Sequence, residues 1–312
     1  MSRGSALIGW GVALPERVVT NAEFEARLDT NDAWIVERTG IMERRMGSTT
    51  GALAVQAGRA ALDQAGVRAA DIDLLILATT TPDQIVPATS ATVTRALGIG
   101  GGGMDLNASC SGFVYALVTA NALVGAGSDR ILVIGSDTLS RIVDQDDRST
   151  AVLFGDGAGA VVIEATPGEG QLVSWDLGVD GSAATLLDCD HGGFVRMEGR
   201  EVFRRAVRAM VTSAELVMER AKLGPDDIAL CVPHQANSRI VEAANARIGI
   251  PMSRTSMVVH RTGNTSAASI PLALADAADA GRLATGDHIL LCGFGAGMTW
   301  ASAILRWGPG DR

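Results

Sequence analysis

"LDQAGVRAADIDLLILATTTP", Leu62 to Pro82, and "MERAKLGPDDIALCVPHQAN", Met218 to Asn237, are one pattern written twice. Each reads as a helix ending near a glycine, a polar turn carrying Asp, and an apolar run suited to a buried strand. A second pair repeats the relation: "GAGSDRILVIGSD" (Gly125 to Asp137) matches "RLATGDHILLCGFG" (Arg282 to Gly295). Helix–Gly–Asp–strand units look alike in many proteins. Two matches in the same order, both offset by about half the chain, point instead to an internal duplication. Runs of Ile, Leu and Val alternate with helical patterns elsewhere too, which predicts an α/β protein with largely buried strands.

The 312 residues suffice for one large domain or two fused ones. One Tyr and six Phe provide little stacking surface for single-stranded nucleic acid, and a net charge of −9 opposes general binding to a phosphate backbone. No nucleic-acid partner is expected. The first residues, "MSRGSALIGWGVALP", make a poor signal peptide, and no run of about 18 uninterrupted apolar residues predicts a membrane span. Cys110, Cys189, Cys231 and Cys292 are scattered with no C-x-x-C. That argues against a disulfide framework or a zinc site and for a reducing cytoplasm. "DCDH", Asp188 to His191, reads as a polar loop, because four consecutive residues rarely converge on one metal ion.

If the halves pack as pseudo-equivalents, loops after their strands share a cleft. Three candidate groups fall on such loops. "MDLNASC" is a strand running into Cys110, followed by a helix. "IALCVPHQAN" is a strand ending at His234, and "SMVVHRTGNTSAAS" reads as a strand, a turn carrying Asn264, then a helix. Each residue has an ordinary reading: a packed thiol, a hydrogen-bonded histidine, a helix cap. At a helix N-terminus, however, a thiol titrating near ~8.5 gains up to roughly 2 kcal/mol for its anion, a depression of about 1.5 pKa units. The expectation is therefore a thiol brought near neutrality, beside a histidine able to take the proton.

"NASCSGF", "PHQAN" and "GNTSAAS", in that order, resemble the active-site segments of β-ketoacyl-acyl carrier protein synthase III, the initiating condensing enzyme of the thiolase superfamily. "TNDAWIVERTGIMERR", "DRSTAVLFGDGAGAVV", "MEGREVFRRAV" and "CGFGAGMTWASA" extend the similarity through nearly the whole chain. The resemblance implies duplicated thiolase-like halves in a five-layered αβαβα arrangement, residues 1–165 carrying the cysteine and 166–312 the histidine and asparagine. It implies Cys110 as nucleophile with His234 and Asn264, and an oxyanion hole from the backbone N–H groups of Cys110 and Ala296. The implied reaction joins an acyl-CoA primer to malonyl-acyl carrier protein through an acyl-Cys110 intermediate, with loss of CO₂ and with neither metal nor cofactor. Asn264, where elongating synthases have His, favours the initiating type.

By the same resemblance, Thr30, Trp34, Arg38, Arg148, Gly199 and Asn237 contact coenzyme A and its pantetheine arm. Phe294 and "TTTPDQIVPATSA" shape the acyl pocket, and Arg204 and Arg239 dock the acidic carrier protein. Arg204, Arg205 and Arg208 would form a local basic patch on an acidic molecule. A cytoplasmic homodimer is implied. The alternatives are a thiolase or a polyketide-priming acyltransferase on the same fold, a non-catalytic partner subunit, and a Cys-His hydrolase. Cys292 raises the thiolase reading but sits within an apolar strand. A non-catalytic relative would have lost the cysteine, and a hydrolase leaves the duplication and the coenzyme A segments unexplained.

Overall fold

A computed structural model describes residues 3–308. The strands of its two main sheets are Arg3–Ala13 (β1), Leu74–Ala78 (β2), Gly102–Leu106 (β3), Arg130–Thr138 (β4), Asp156–Pro167 (β5), Leu172–Val179 (β6), Ile228–Pro233 (β7), His288–Gly295 (β8) and Thr299–Arg306 (β9). The helices that position the site are Asp32–Thr39 (α1), Thr50–Ala65 (α2), Thr89–Leu97 (α3), Gly112–Ala126 (α4), Gly199–Ala221 (α5), Ser238–Ile248 (α6) and Ser269–Asp279 (α7).

The two matched stretches fold alike. α2 stops at Gly66 with φ +66, a 3₁₀ turn spans Ala69–Asp71, and β2 follows. α5 leads through a 3₁₀ turn at Pro225–Asp227 into β7, but its left-handed stop is Lys222 at φ +58, not Gly224. The expected glycine stop is displaced because the Lys222 N–H still closes the last turn onto Glu219 and Met218.

Sheet order carries the duplication further. The first sheet runs β1-β5-β4-β2-β3 and the second β6-β9-β8-β7. In each, the first two pairings are antiparallel and the third is parallel. β3 then adds a parallel fifth strand to the first sheet. Its counterpart in the second sheet is one parallel bridge, Cys231 to Thr255. The strand expected over "SMVV" is thus absent, and Val259–Thr262 forms a helical turn.

Period-two alternation builds the layers. Along β2, Leu75 and Leu77 join Leu53, Ala57 and Ala61 of α2, while Ile76 and Ala78 join Phe113 and Leu117 of α4. In the second sheet, Leu230, Val232, Ile289 and Leu291 share that central cluster; Cys231, Leu290 and Cys292 face Val207 and Met210 of α5. The result is five layers: α2 and α3, first sheet, α4 with α7, second sheet, α5 and α6. The segment Ser109–Ala126 is long and apolar enough to cross a membrane, but α4 lies between two sheets, where a helix apolar all round belongs.

Candidate active site

The nucleophile candidate and its counterpart sit on matching turns. After β3, Asn107 Oδ1 accepts the Ser109 N–H at 3.1 Å, Ser109 adopts φ +51, and a 3₁₀ turn Ser109–Ser111 carries Cys110 into α4. In the second half, Asn264 Oδ1 accepts the Ser266 N–H at 2.9 Å, Ser266 adopts φ +52, and a 3₁₀ turn Ser266–Ala268 leads into α7. Cys110 therefore corresponds to Ala267. The turns meet at the pseudo-axis only because glycine lies under one of them: a Cβ on Gly135 would come 2.2 Å from the Ala267 carbonyl oxygen. The signal was present in the sequence as "NASC" and "NTSA", a repeated Asn-x-Ser. Its use is specific. A backbone N–H can pair only with the amide oxygen, so Asn264 presents its Nδ2 as a donor.

His234, at the end of β7, is buried, and its N–H donates to the Cys292 carbonyl at 2.8 Å. Its ring meets Phe294 edge-on at 5.4 Å, and Nδ1 lies 2.6 Å from Ser269 Oγ. Gly295 brings the β8 turn onto Cys110: a Cβ there would sit 2.6 Å from the Cys110 nitrogen. Cys110, half-buried, lines one cavity of about 840 Å³ together with His234, Asn264, Ser266, Phe294 and Ala296. The sequence thus named groups that converge.

One expectation fails in direction. Burial pushes the Cys110 thiol up to about 12; Asp137 adds to the rise, while Ser266 and the Cys110 N–H oppose it. Burial also presses His234 down to about 3. The helix terminus does not outweigh desolvation here, and the resting pair is neutral. Ser266, Ser269 and Asp137 were not singled out from sequence, since each acts on a group remote along the chain; Asn107 was missed although its partner, Ser109, is two residues away.

Trp34, Arg38, Gly199 and Asn237 line the same cavity, as do Thr80, Thr81 and Ile85 of the expected acyl-pocket loop. Asn31 caps α1 by accepting the Trp34 N–H at 2.8 Å, which fixes the indole's place. The Arg38 and Arg148 guanidiniums lie 4.6 and 5.0 Å from the Trp34 ring centroid. Arg148 also donates to the Asp29 carbonyl at 2.6 Å. Thr30, in that loop, has a buried hydroxyl oxygen with no partner among the described residues. Asn237 caps α6 through its oxygen, and among the described residues its amide nitrogen has no partner. Cys189 and His191 of the "DCDH" loop also line the cavity, and Arg196 pairs with both Asp188 and Asp190. The basic patch is altered: Arg204 is held by Glu201, and Arg205 by Glu201 and Asp180. Arg208 and Arg239 are exposed.

Two family models match the chain: "3-Oxoacyl-[acyl-carrier-protein (ACP)] synthase III" over residues 104–181 and its C-terminal counterpart over 218–307. The β-ketoacyl-[acyl-carrier-protein] synthase III of Roseiflexus sp. (strain RS-1) is 46% identical, covering 98% of this chain and 99% of its own. The chain belongs to the β-ketoacyl-[acyl-carrier-protein] synthase III family. The Agrobacterium fabrum synthase III is 48% identical, with 97% of this chain and 99% of that one covered. Among solved structures, the Aquifex aeolicus VF5 synthase III superposes with a TM-score of 0.95 at 42% identity, covering 97% of this chain and all of the other. The priming β-ketosynthase of the R1128 polyketide pathway does so with 0.94 at 35% identity, covering 99% and 98%. The five-layered architecture is thus that of synthase III.

Proposed function

We propose that the protein condenses an acyl group from acyl-CoA with malonyl-acyl carrier protein, releasing CO₂ and initiating fatty acid synthesis. The observation that carries this reading is the single cavity gathering Cys110, His234, Asn264 and Ala296 beneath Trp34 and Arg38. Cys110 sulfur attacks the thioester carbonyl, the acyl–sulfur bond to coenzyme A breaks, and the thiol proton leaves as CoA-SH. The N–H groups of Cys110 and Ala296 stabilise the tetrahedral oxyanion. Malonyl-carrier protein then loses CO₂, and the electron pair of the broken bond forms an enolate. His234 and the Asn264 amide donate to its oxygen. The enolate carbon attacks the acyl-Cys110 carbonyl and expels the thiolate, which takes a proton from solvent water. No step draws on a metal or cofactor.

Thr30, Trp34, Arg38 and Arg148 would hold the nucleotide, Gly199 and Asn237 the pantetheine, and Phe294 the acyl chain. Each half of the duplication contributes part of the site: residues 1–165 the nucleophile, 166–312 the two donors. Arg204 and Arg239 would dock the carrier protein, and we assign the enzyme to a cytoplasmic homodimer. The R1128 relative supports a second reading, priming of polyketide synthesis with the same chemistry. Intact-mass measurement after incubation with a panel of acyl-CoAs should show one acyl group on Cys110. Adding malonyl-acyl carrier protein should then discharge it as a β-ketoacyl product. Acylation without discharge would leave an acyltransferase, and no acylation would overturn the reading.

A further inference from the structure

Ser269 is buried at the first position of α7, and two groups lie within hydrogen-bonding reach of its hydroxyl oxygen among the described residues: His234 Nδ1 at 2.6 Å and the Gln235 N–H at 3.3 Å. The Gln235 N–H can only donate, so it occupies one lone pair of Oγ. The hydroxyl hydrogen is left with one acceptor, the Nδ1 lone pair. A neutral imidazole that accepts at Nδ1 carries its proton on Nε2. We propose that Ser269 is a positioning residue that locks His234 in the Nε2–H tautomer, making the imidazole a hydrogen-bond donor toward the cavity rather than a base.

The opposite tautomer would place Nδ1–H against Oγ and leave the serine hydroxyl hydrogen buried with no acceptor, an arrangement that desolvation disfavours. Burial also keeps the ring uncharged. Asn264 is set the same way, because the Ser266 N–H occupies its Oδ1 and leaves Nδ2 as donor. Two neutral donors, each fixed by a partner behind it, suit an oxygen that gains charge during the reaction. The malonyl thioester oxygen does so. As the bond to the carboxylate breaks, its electron pair forms the enolate C=C bond, the carbonyl π pair moves onto oxygen, and CO₂ departs. A fixed donor at Nε2 would not draw the proton from Cys110.

This inference rests on the proposed role of His234 in condensation, and its test separates the two. In Ser269→Ala, acylation of Cys110 by acyl-CoA, followed by intact mass, should stay within about twofold of the unchanged protein, while CO₂ release from malonyl-acyl carrier protein should fall at least about tenfold. Nitrogen-15 spectra of the imidazoles, assigned with His234→Gln, should show His234 as Nε2–H in the unchanged protein and as a tautomer mixture in Ser269→Ala. Equal loss of both half-reactions, or loss of neither, overturns the inference. So does an Nδ1–H signal from the unchanged protein, which decides the matter even if the variant fails to fold. If the unchanged protein takes up no acyl group, the Cys110 reading fails instead, and the tautomer measurement still judges Ser269.

Discussion

Desolvation sets the chemistry of Cys110 and His234 more strongly than the helix that begins beside them. With the thiol at about 12 and the imidazole at about 3, neither titrates between those limits, and both are uncharged near neutral pH. The thiolate fraction should therefore climb about tenfold per pH unit from 6 to 10, with no inflection near the usual histidine value. Iodoacetamide alkylation of Cys110, followed by peptide mass to separate it from exposed Cys189, should trace that slope. A plateau beginning near pH 6 would show a preformed thiolate–imidazolium pair. Cys110, His234 and Asn264 were legible in the sequence because each stands in a short motif at a strand end. The thiol's state was not, because desolvation depends on walls supplied by segments more than a hundred residues away, including Ser266 and Phe294.

Matching strand ends show how the two halves differ at the cavity. In the paired sequences "GAGSDRILVIGSD" and "RLATGDHILLCGFG", Asp137 stands opposite Gly295, and in the paired turns Ala267 stands opposite Cys110. Asp137 Oδ2 accepts the Ala267 N–H at 3.1 Å, and its Oδ1 accepts from the backbones or hydroxyls of Thr79, Thr80 and Thr81. Gly295 puts no side chain against the Cys110 N–H, which stays available to an oxyanion. Gly295→Ala should therefore push that turn away from Cys110 and lower kcat by about 10²-fold, the scale of losing one oxyanion donor. Retained kcat would remove the Cys110 N–H from the mechanism. Asp137→Asn removes a charge that opposes the thiolate, so the thiol should titrate lower and alkylate faster at pH 8. The same change should destabilise the fold by about 1–3 kcal/mol per donor left unpaired, measured by denaturant unfolding. The sheets themselves were readable from periodicity. The lack of a fifth strand in the second sheet was not, because "SMVV" is apolar enough for a strand, yet only Thr255 pairs with β7.

Across the whole molecule, the proposed docking of an acidic carrier protein has to work against a net charge of −9, which makes local arrangement decisive. Regular spacing made the arginines of α5 visible in the sequence, but not their partners. Arg204 and then Arg205 hold the Glu201 carboxyl down at about 2, so it is ionised at neutral pH and offsets both guanidiniums. In the proposed docking, Glu201 would compete with a carrier-protein carboxylate for Arg204. Arg208 and Arg239 are exposed and would carry steering charge in the proposed docking. Arg239→Ala should raise KM for malonyl-acyl carrier protein about five-fold at low salt, with the difference shrinking as ionic strength rises. Glu201→Gln should act in the opposite sense, lowering that KM by freeing Arg204. Neither change should move the KM for acyl-CoA, whose expected contacts Trp34, Arg38 and Asn237 lie along the cavity instead. Steady-state kinetics at about 0.05 and about 0.5 M salt, between which the screening length falls roughly three-fold, distinguish the cases. Equal shifts for both substrates would mean that this face orders the cavity rather than docking a partner.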